Sequence, residues 1–356
     1  MACSVAQRHN VRVFVFEEGY IRPNYITLEE SGVNGNSSLI GKPLDLNESS
    51  ERDISGVKNP RRVFRNMAFC AMSYYLACAA LSWRFTDYVH HRPLNPISEG
   101  GKWLLSVMRK VRFKVSQRKL PKLFEHDLIN QYFLCPLQVH CDMQISAHSE
   151  FTSVEHFIGK VVSSFAQHAE QDHCLVFKHH PMDRGYTDYT TLINKLAFEH
   201  SVEDRVYYVH DLELPSLLKG ARGTVLINST VGMSSLLHKT PVKTLGQAVY
   251  DRAELTSQAD LDAFWREPGE VDLSAYQAFR DYLVEKNQIN GSFYKRLPDT
   301  ETTTGLSWSR EMLLEHSYTP DLIDSAKPPT LQLVAGRDLD QTVSEESTAY
   351  GKLASR

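Results

Sequence analysis

A chain of 356 residues is long for one domain and points to two, or to one large domain with an addition. Its 42% hydrophobic and 23% charged content is that of a soluble globular protein, and a net charge of −4 excludes a nucleic-acid-binding protein as a whole. Six cysteines without CxxC spacing exclude a zinc ribbon and, in a chain this long, a disulfide scaffold; they read as reduced, mostly buried residues of a cytoplasmic protein. Fifteen histidines include no HExxH pair, so no metal site is expected, and no secretory signal peptide is expected either.

Val11 to Phe16 reads as a strand with very little chain before it. Such a strand normally lies inside a sheet, so residues 1–59 are expected to be the remnant of an N-terminal Rossmann-like domain that lacks its first part or begins at an internal start. Glu17-Glu18-Gly19-Tyr20 closes the strand, and Ile21 to Gly35 reads as a loop. Residues 60–126 read as a basic helical insertion. Met67 to Trp83 is uncharged over 17 residues, the lower limit for a membrane span, and its Ser, Tyr and Cys content argues against one. Lys102 to Lys122 then holds eight basic residues and no acid, interleaved with Trp103, Leu104, Leu105, Val107, Met108, Val111, Phe113 and Val115. That pattern suits a helix lying on an anionic membrane surface; the plainer alternative is a solvated basic face.

From residue 127 strands alternate with helices, which indicates a parallel sheet. Strands are expected at Tyr132–Leu137, Cys174–Lys178, Val206–Val209, Thr224–Ile227 and Val242–Leu245. Helices are expected at Glu155–Ala169, around Asn194–Glu199, at Leu214–Lys219, at Met233–His238 and through Tyr276–Val284. Residues 127–296 thus read as a C-terminal Rossmann-like, nucleotide-binding domain with closing helices, and 297–356 as a polar, disordered tail. The stretch 222–247 is the most telling: strand, tight turn, helix, loop, strand. Asn228, Ser229 and Thr230 occupy its strand-to-helix corner, where open α/β sheets hold ligands and where hydroxyls and backbone N–H groups suit a phosphate. Their alternative role is simple helix capping.

Three strand ends carry polar clusters: Glu17-Glu18-Gly19, His180-Pro181 and Ser229-Thr230. Pro181 biases His180 to an extended conformation, which can aim the imidazole and nearby Lys178 at a phosphate. A lone His-Pro in a loop is more often a surface feature. The DxD at Asp260-Leu261-Asp262 lies in a helical stretch and reads as a solvated face.

This set, acidic-acidic-Gly, His-Pro and Ser-Thr, resembles that of bacterial glycosyltransferases using CMP-activated sialic acid or Kdo. The longer strings FEEGYIRPNYITLEESGVNGNS, PLQVHCDMQISAHS, KHHPMDRG, NSTVGMSSLLHKTPV and LGQAVYD are similar to the KpsS/LipB-type capsular polysaccharide Kdo transferases, over about residues 11–295. The resemblance implies an α/β, GT-B-like fold: two Rossmann-like domains facing a cleft, the N-terminal one short of its first part. It implies transfer of Kdo with retention from CMP-Kdo to a phosphatidylglycerol-type lipid, starting the poly-Kdo linker; departing CMP carries one phosphate rather than two, so a divalent ion is less needed and no cofactor is expected. It places His180 and Pro181 at the CMP phosphate and ribose, Ser229 and Thr230 at the phosphate, and Glu18 as acid/base with Glu17 as second choice. The family's Gln and Asp fall on Gln138 and Asp142. Charge then suggests Asp142 as the nucleophile trapping an oxocarbenium-like centre, with His180 and Lys178 offsetting charge on departing CMP; a turn-forming role is the alternative for Asp142. Implied partners are the nucleotide sugar, a membrane lipid, an anionic membrane surface and other capsule assembly proteins, at the cytoplasmic face of the inner membrane. Another CMP-sugar transferase, such as a sialyltransferase, and a non-catalytic assembly or export component are the competing readings.

Overall fold

The computed structural model describes residues 5–6, 8–30, 32–43, 63–85 and 96–298. These residues belong to one compact unit, Met1–His316; of the tail expected over 297–356 only Leu297, which is buried, and Pro298 are described, and the rest lies outside the described residues.

The described chain opens with an antiparallel hairpin. β1 (Phe14–Glu18) pairs with β2 (Tyr25–Glu30), Phe14 opposite Glu30 and Glu18 opposite Ile26. The expected strand therefore starts three residues later than its apolar run, and the middle of the expected 21–35 loop is itself a strand. β2 is buried along nearly its whole length because β8 (Gln288–Asn290) covers its other edge, antiparallel, with Tyr25 opposite Asn290. A partner so distant in sequence leaves no local signature.

Two helices follow. α1 (Val63–Leu81) and α2 (Pro96–Ser116) occupy the expected insertion, and among the described residues no helix is long and apolar enough to cross a membrane. α2 is moored by polar contacts: Arg109 donates to the carbonyls of Arg184 (2.8 Å) and Thr187 (3.0 Å). Just past its end Gln117 bonds both the Tyr208 carbonyl (2.9 Å) and the His210 amide (3.0 Å).

The remainder forms a parallel sheet of β3 (Tyr132–Pro136), β4 (Cys174–Lys178), β5 (Val206–Val209), β6 (Gly223–Leu226) and β7 (Val242–Thr244), in the spatial order β5-β4-β3-β6-β7. Strand alternation gives the sheet two apolar faces. Phe133 and Cys135 pack with Leu175 and Phe177 under α4 (Val154–His168), α5 (Thr190–Glu199) and α8 (Leu261–Phe264). Tyr132 and Leu134 face the other way, onto α6 (Leu214–Gly220). A third core joins α7 (Val231–Leu237) and α9 (Leu273–Lys286) to Tyr20 and Leu39 of the N-terminal segment. The short α3 (Met143–Ala147) interrupts the loop expected after β3. Both aspartates of the DxD are exposed, as expected, and each also has a local partner. Asp260 caps α8 through the Ala263 amide (2.8 Å), and Asp262 accepts from Ser164, which also holds buried Trp265 (2.7 Å). Cysteines are less uniformly buried than expected: Cys135 and Cys174 are buried, whereas Cys70 and Cys141 are exposed.

One buried carboxylate ties the N-terminal segment to the rest. Glu29 accepts hydrogen bonds from Tyr20 Oη (3.0 Å), Ser37 Oγ (2.6 Å), the Ser38 amide (3.2 Å) and Asn287 Nδ2 (3.0 Å). Burial pushes its carboxyl above the usual carboxylate range, and the four donors pull the other way. Gln288 completes the joint by accepting from the Tyr20 amide (2.9 Å) and donating to Thr27 Oγ1 (2.9 Å). Glu29→Ala strands several buried donors at once and is expected to cost roughly 3 kcal/mol or more. A lowered urea midpoint at pH 7 checks this; a midpoint within error of wild type would show that the joint contributes nothing.

Candidate active site

The strand order changes direction at β3. From β3 the chain builds outward through β4 and β5, then returns to the other side of β3 with β6. At such a switch point the loops leaving two neighbouring strands diverge and open a crevice beyond their carboxyl ends. A cavity of about 310 Å³ lies there. Its walls include Glu17, Tyr20 and Arg22 from the N-terminal segment, Gln138 and Asp142 after β3, and His180 after β4. Asn228, Ser229 and Thr230 after β6 and Gln247 to Tyr250 after β7 complete it.

Gln138 is the polar hub. Its buried amide donates to Asp142 Oδ2 (3.0 Å) and Asn228 Oδ1 (3.0 Å), so one side chain spans the two loops that diverge. Asp142 is the N-cap of α3: Oδ1 accepts from the Gln144 amide (2.9 Å) while Oδ2 takes Gln138. The turn role weighed for this aspartate is therefore present, together with a place in the cavity wall. His180 caps the short helical turn after it, Nδ1 accepting from the Met182 amide (3.2 Å). That bond leaves Nε2 to carry the proton of the neutral ring. Burial first, then nearby cations, lowers the His180 pKa, with Asp183 and Asp142 opposing.

At the β6–α7 corner the two hydroxyls differ. Ser229 Oγ accepts from the Val231 amide (3.3 Å), and Thr230 makes no capping bond. The amides expected to be open to a phosphate are engaged, Gly232 with the Ser229 carbonyl (3.0 Å) and Met233 with that of Thr230 (3.1 Å). Gly232 itself is required by Tyr250: a Cβ there would come within 2.4 Å of the tyrosine ring, whose hydroxyl donates to the Ser229 carbonyl.

Glu17, the second choice from sequence, lines the cavity; Glu18, the first choice, does not. Glu18 faces a neighbouring hollow and ion-pairs with Arg22 (3.1 Å). The reason is the period of a strand, which sends adjacent side chains to opposite faces. Lys178 and Pro181 also stay out of the cavity. Lys178 is buried, donates to the His210 carbonyl (3.2 Å), and burial lowers its pKa to about 8. Pro181 lines a separate groove. Asn228 was placed at the β6–α7 corner from sequence, whereas Tyr20, Arg22, Gln247 and Tyr250 were missed as wall residues. Only their membership of the strings beginning FEEGYIRPN and LGQAVYD signalled them. Glu170, Asp172 and His173 are grouped closely enough to hold a cation, but they precede β4, at the opposite edge of the sheet from the cavity.

An α/β protein with a polar crevice at a switch point, walled by carboxylates, a histidine and hydroxyls, belongs to the class that binds small charged ligands there. The chain belongs to the capsule polysaccharide biosynthesis protein family, whose pattern it matches over residues 1–294. It is 40% identical over 290 residues to the capsule polysaccharide export protein KpsS of Escherichia coli, covering 81% of this chain and 74% of that one. It is 38% identical over 310 residues to the capsule polysaccharide modification protein LipB of Neisseria meningitidis serogroup B, covering 85% and 74%. Among solved structures it is similar to Thermosulfurimonas dismutans KpsC, a beta Kdo 2,7 transferase, with a TM-score of 0.38 and 16% identity over 77% of this chain and 72% of that one.

Next to His180 lies a buried imidazole pair. His179 shares a hydrogen bond with Tyr208 Oη (2.6 Å), and its ring sits 4.7 Å from that of His210, which stacks on Phe113 at 3.5 Å. Burial, reinforced for His210 by the neighbouring imidazole, pushes His179 down to about 4 and His210 to about 3. Both thus stay neutral when folded, whereas the unfolded chain takes up their protons near pH 6.5. Their stabilising effect is whole above about pH 6.5 and is lost as pH falls towards 4, with a slope of up to about 1.4 kcal/mol per pH unit for each ring. Urea midpoints measured from pH 7.5 to 5 are expected to fall accordingly, and His210→Gln to flatten the slope.

Proposed function

We propose that this chain is a retaining glycosyltransferase that moves Kdo from CMP-Kdo to a phosphatidylglycerol-type lipid and so starts the poly-Kdo linker of a capsular polysaccharide. The observation that carries this reading is the convergence of Glu17, Gln138, Asp142, His180, Ser229 and Thr230, from four separate stretches of chain, on one cavity. Family membership supports capsule biosynthesis as the setting.

The chemistry follows from charge. As the bond from Kdo C2 to the CMP phosphate oxygen breaks, its electron pair leaves with CMP. The neutral His180 ring donates from Nε2 to the departing phosphate, and the hydroxyls of Ser229 and Thr230 hold it. Arg22 brings a fixed positive charge to the cavity that sequence alone did not assign. Asp142 traps the oxocarbenium-like C2 as a covalent ester, with Gln138 holding the carboxylate in register until it attacks. Glu17 then takes the proton of the acceptor hydroxyl, whose oxygen attacks C2 and frees Asp142. Two inversions give retention. A single monophosphate leaves, so this scheme uses no metal or cofactor. The basic face of α2 supports attachment to an anionic surface, in this reading the cytoplasmic face of the inner membrane, where the other capsule assembly proteins and the lipid acceptor are found.

The test is release of CMP from CMP-Kdo in the presence of lysophosphatidylglycerol. Glu17→Gln and Asp142→Asn are each expected to lower turnover at least about a hundredfold, while Glu18→Gln keeps most of it. No CMP release by the wild-type chain, or equal loss in Glu17→Gln and Glu18→Gln, counts against this assignment. Flotation with liposomes is expected to require anionic lipid and to weaken with salt.

A further inference from the structure

Beyond the site cavity lies a larger groove, of about 420 Å³, that the scheme above leaves unused. Its walls come from four places: Tyr75 of α1, Trp103, Val107 and Lys110 of α2, the loop from Pro181 to Tyr186, and Asp211 after β5. The loop is pressed against the helix, since a Cβ on Gly185 would fall 2.3 Å from the Lys102 carbonyl oxygen. The lining is mainly apolar, and cations stand at its edge. Lys102 is spent on Glu99 (2.9 Å) and the Tyr186 ring (4.7 Å), and Arg184 on Asp211. Lys110 has no ion-pair partner among the described residues.

Three observations limit what this groove can hold. The volume is within the range of small-molecule sites, about 300–1,000 Å³, and suits one chain of a lipid rather than a folded partner. Along α2 and just past its end, Leu104, Met108, Val111 and Val115 are exposed among Arg112, Lys114, Arg118 and Lys119, the mixture that an anionic lipid layer satisfies. Its loop wall is also the wall of the site cavity: Pro181 and Met182 line the groove, His180 lines the cavity, and the Met182 amide is bonded to His180 Nδ1.

We propose that this groove holds the hydrocarbon chain of a singly acylated anionic phospholipid, whose head group crosses the His180–Met182 wall to present its hydroxyl in the site cavity. The proposal rests on the lipid-acceptor reading above, and adds where the acceptor's chain sits. α2 thereby has two tasks. Its exposed apolar and basic residues meet the lipid layer, and its groove-lining residues, Trp103 and Val107, select a single chain from it.

The test is direct binding of monomeric lysophosphatidylglycerols with 10, 12 and 14 carbon chains, without donor, to the full chain. Each added methylene is expected to tighten binding by up to about fourfold while the chain still fits. Ser106→Trp, which fills the groove, and Val107→Glu, which charges it, are expected to abolish that chain-length dependence. Far-UV circular dichroism and the urea midpoint show that each variant folds. A lysolipid with a choline head and the same chain is expected to bind at least about tenfold more weakly, and Lys110→Glu to erase that difference. Binding that ignores chain length, or that survives both groove variants, overturns the proposal. So does displacement of a bound fluorescent lysolipid by an amphipathic peptide but not by unlabelled lysolipid. Because no turnover is read, lipid binding with the expected dependence alongside no CMP release would leave the groove standing and sink the transferase assignment.

Discussion

A buried carboxylate without a basic partner is expensive, and this fold accepts one where the N-terminal hairpin meets the rest. Glu29 gathers two hydroxyls, a backbone amide and a side-chain amide from Tyr20, Ser37, Ser38 and Asn287. Those donors come from three stretches far apart in sequence, at Tyr20, at Ser37 and Ser38, and at Asn287, and the carboxylate ties them together. The consequence reaches the cavity. Tyr20 holds the turn after β1, β1 carries Glu17, and the third core sets Tyr20 and Leu39 against Leu226, Phe279 and Leu283. An apolar joint would supply comparable burial, but not this orientation.

The cavity follows a similar logic of polar pairing. Gln138 spans the diverging loops, Tyr250 props the β6–α7 corner, and Gly232 makes room for it. The engaged amides at that corner matter for how an anion would be held. With the Gly232 and Met233 N–H groups already bonded, the hydroxyls, the His180 ring and Arg22 are among the groups in the wall that could meet it. Membership of the capsule polysaccharide biosynthesis family gives the cavity its setting, and the proposed transfer gives its acidic and cationic walls distinct tasks.

α2 explains why a basic helix in an acidic protein need not bind nucleic acid. Arg109, which the sequence groups with seven other basic residues, is spent inside the protein on two carbonyls. The apolar residues between the remaining cations stay largely exposed, and this mixture suits a lipid interface better than a phosphate backbone, which needs charge without grease.

What could be read from the sequence is whatever is local and periodic. The apolar runs from Tyr132 to Thr244 and the helices between them mark a parallel α/β sheet, because strands buried on both faces cannot hide their composition. The loops after those strands also show themselves, since His180, Ser229 and Thr230 follow directly on apolar runs and end up together. The N-terminal part is different: β2 is stabilised by β8 and by Asn287, far along the chain, so its residues look like a loop until the partner is in place. The choice between Glu17 and Glu18 was beyond any composition argument, for both are glutamates side by side. Only the register of β1 on β2 puts Glu17 in the cavity wall and Glu18 in the neighbouring hollow.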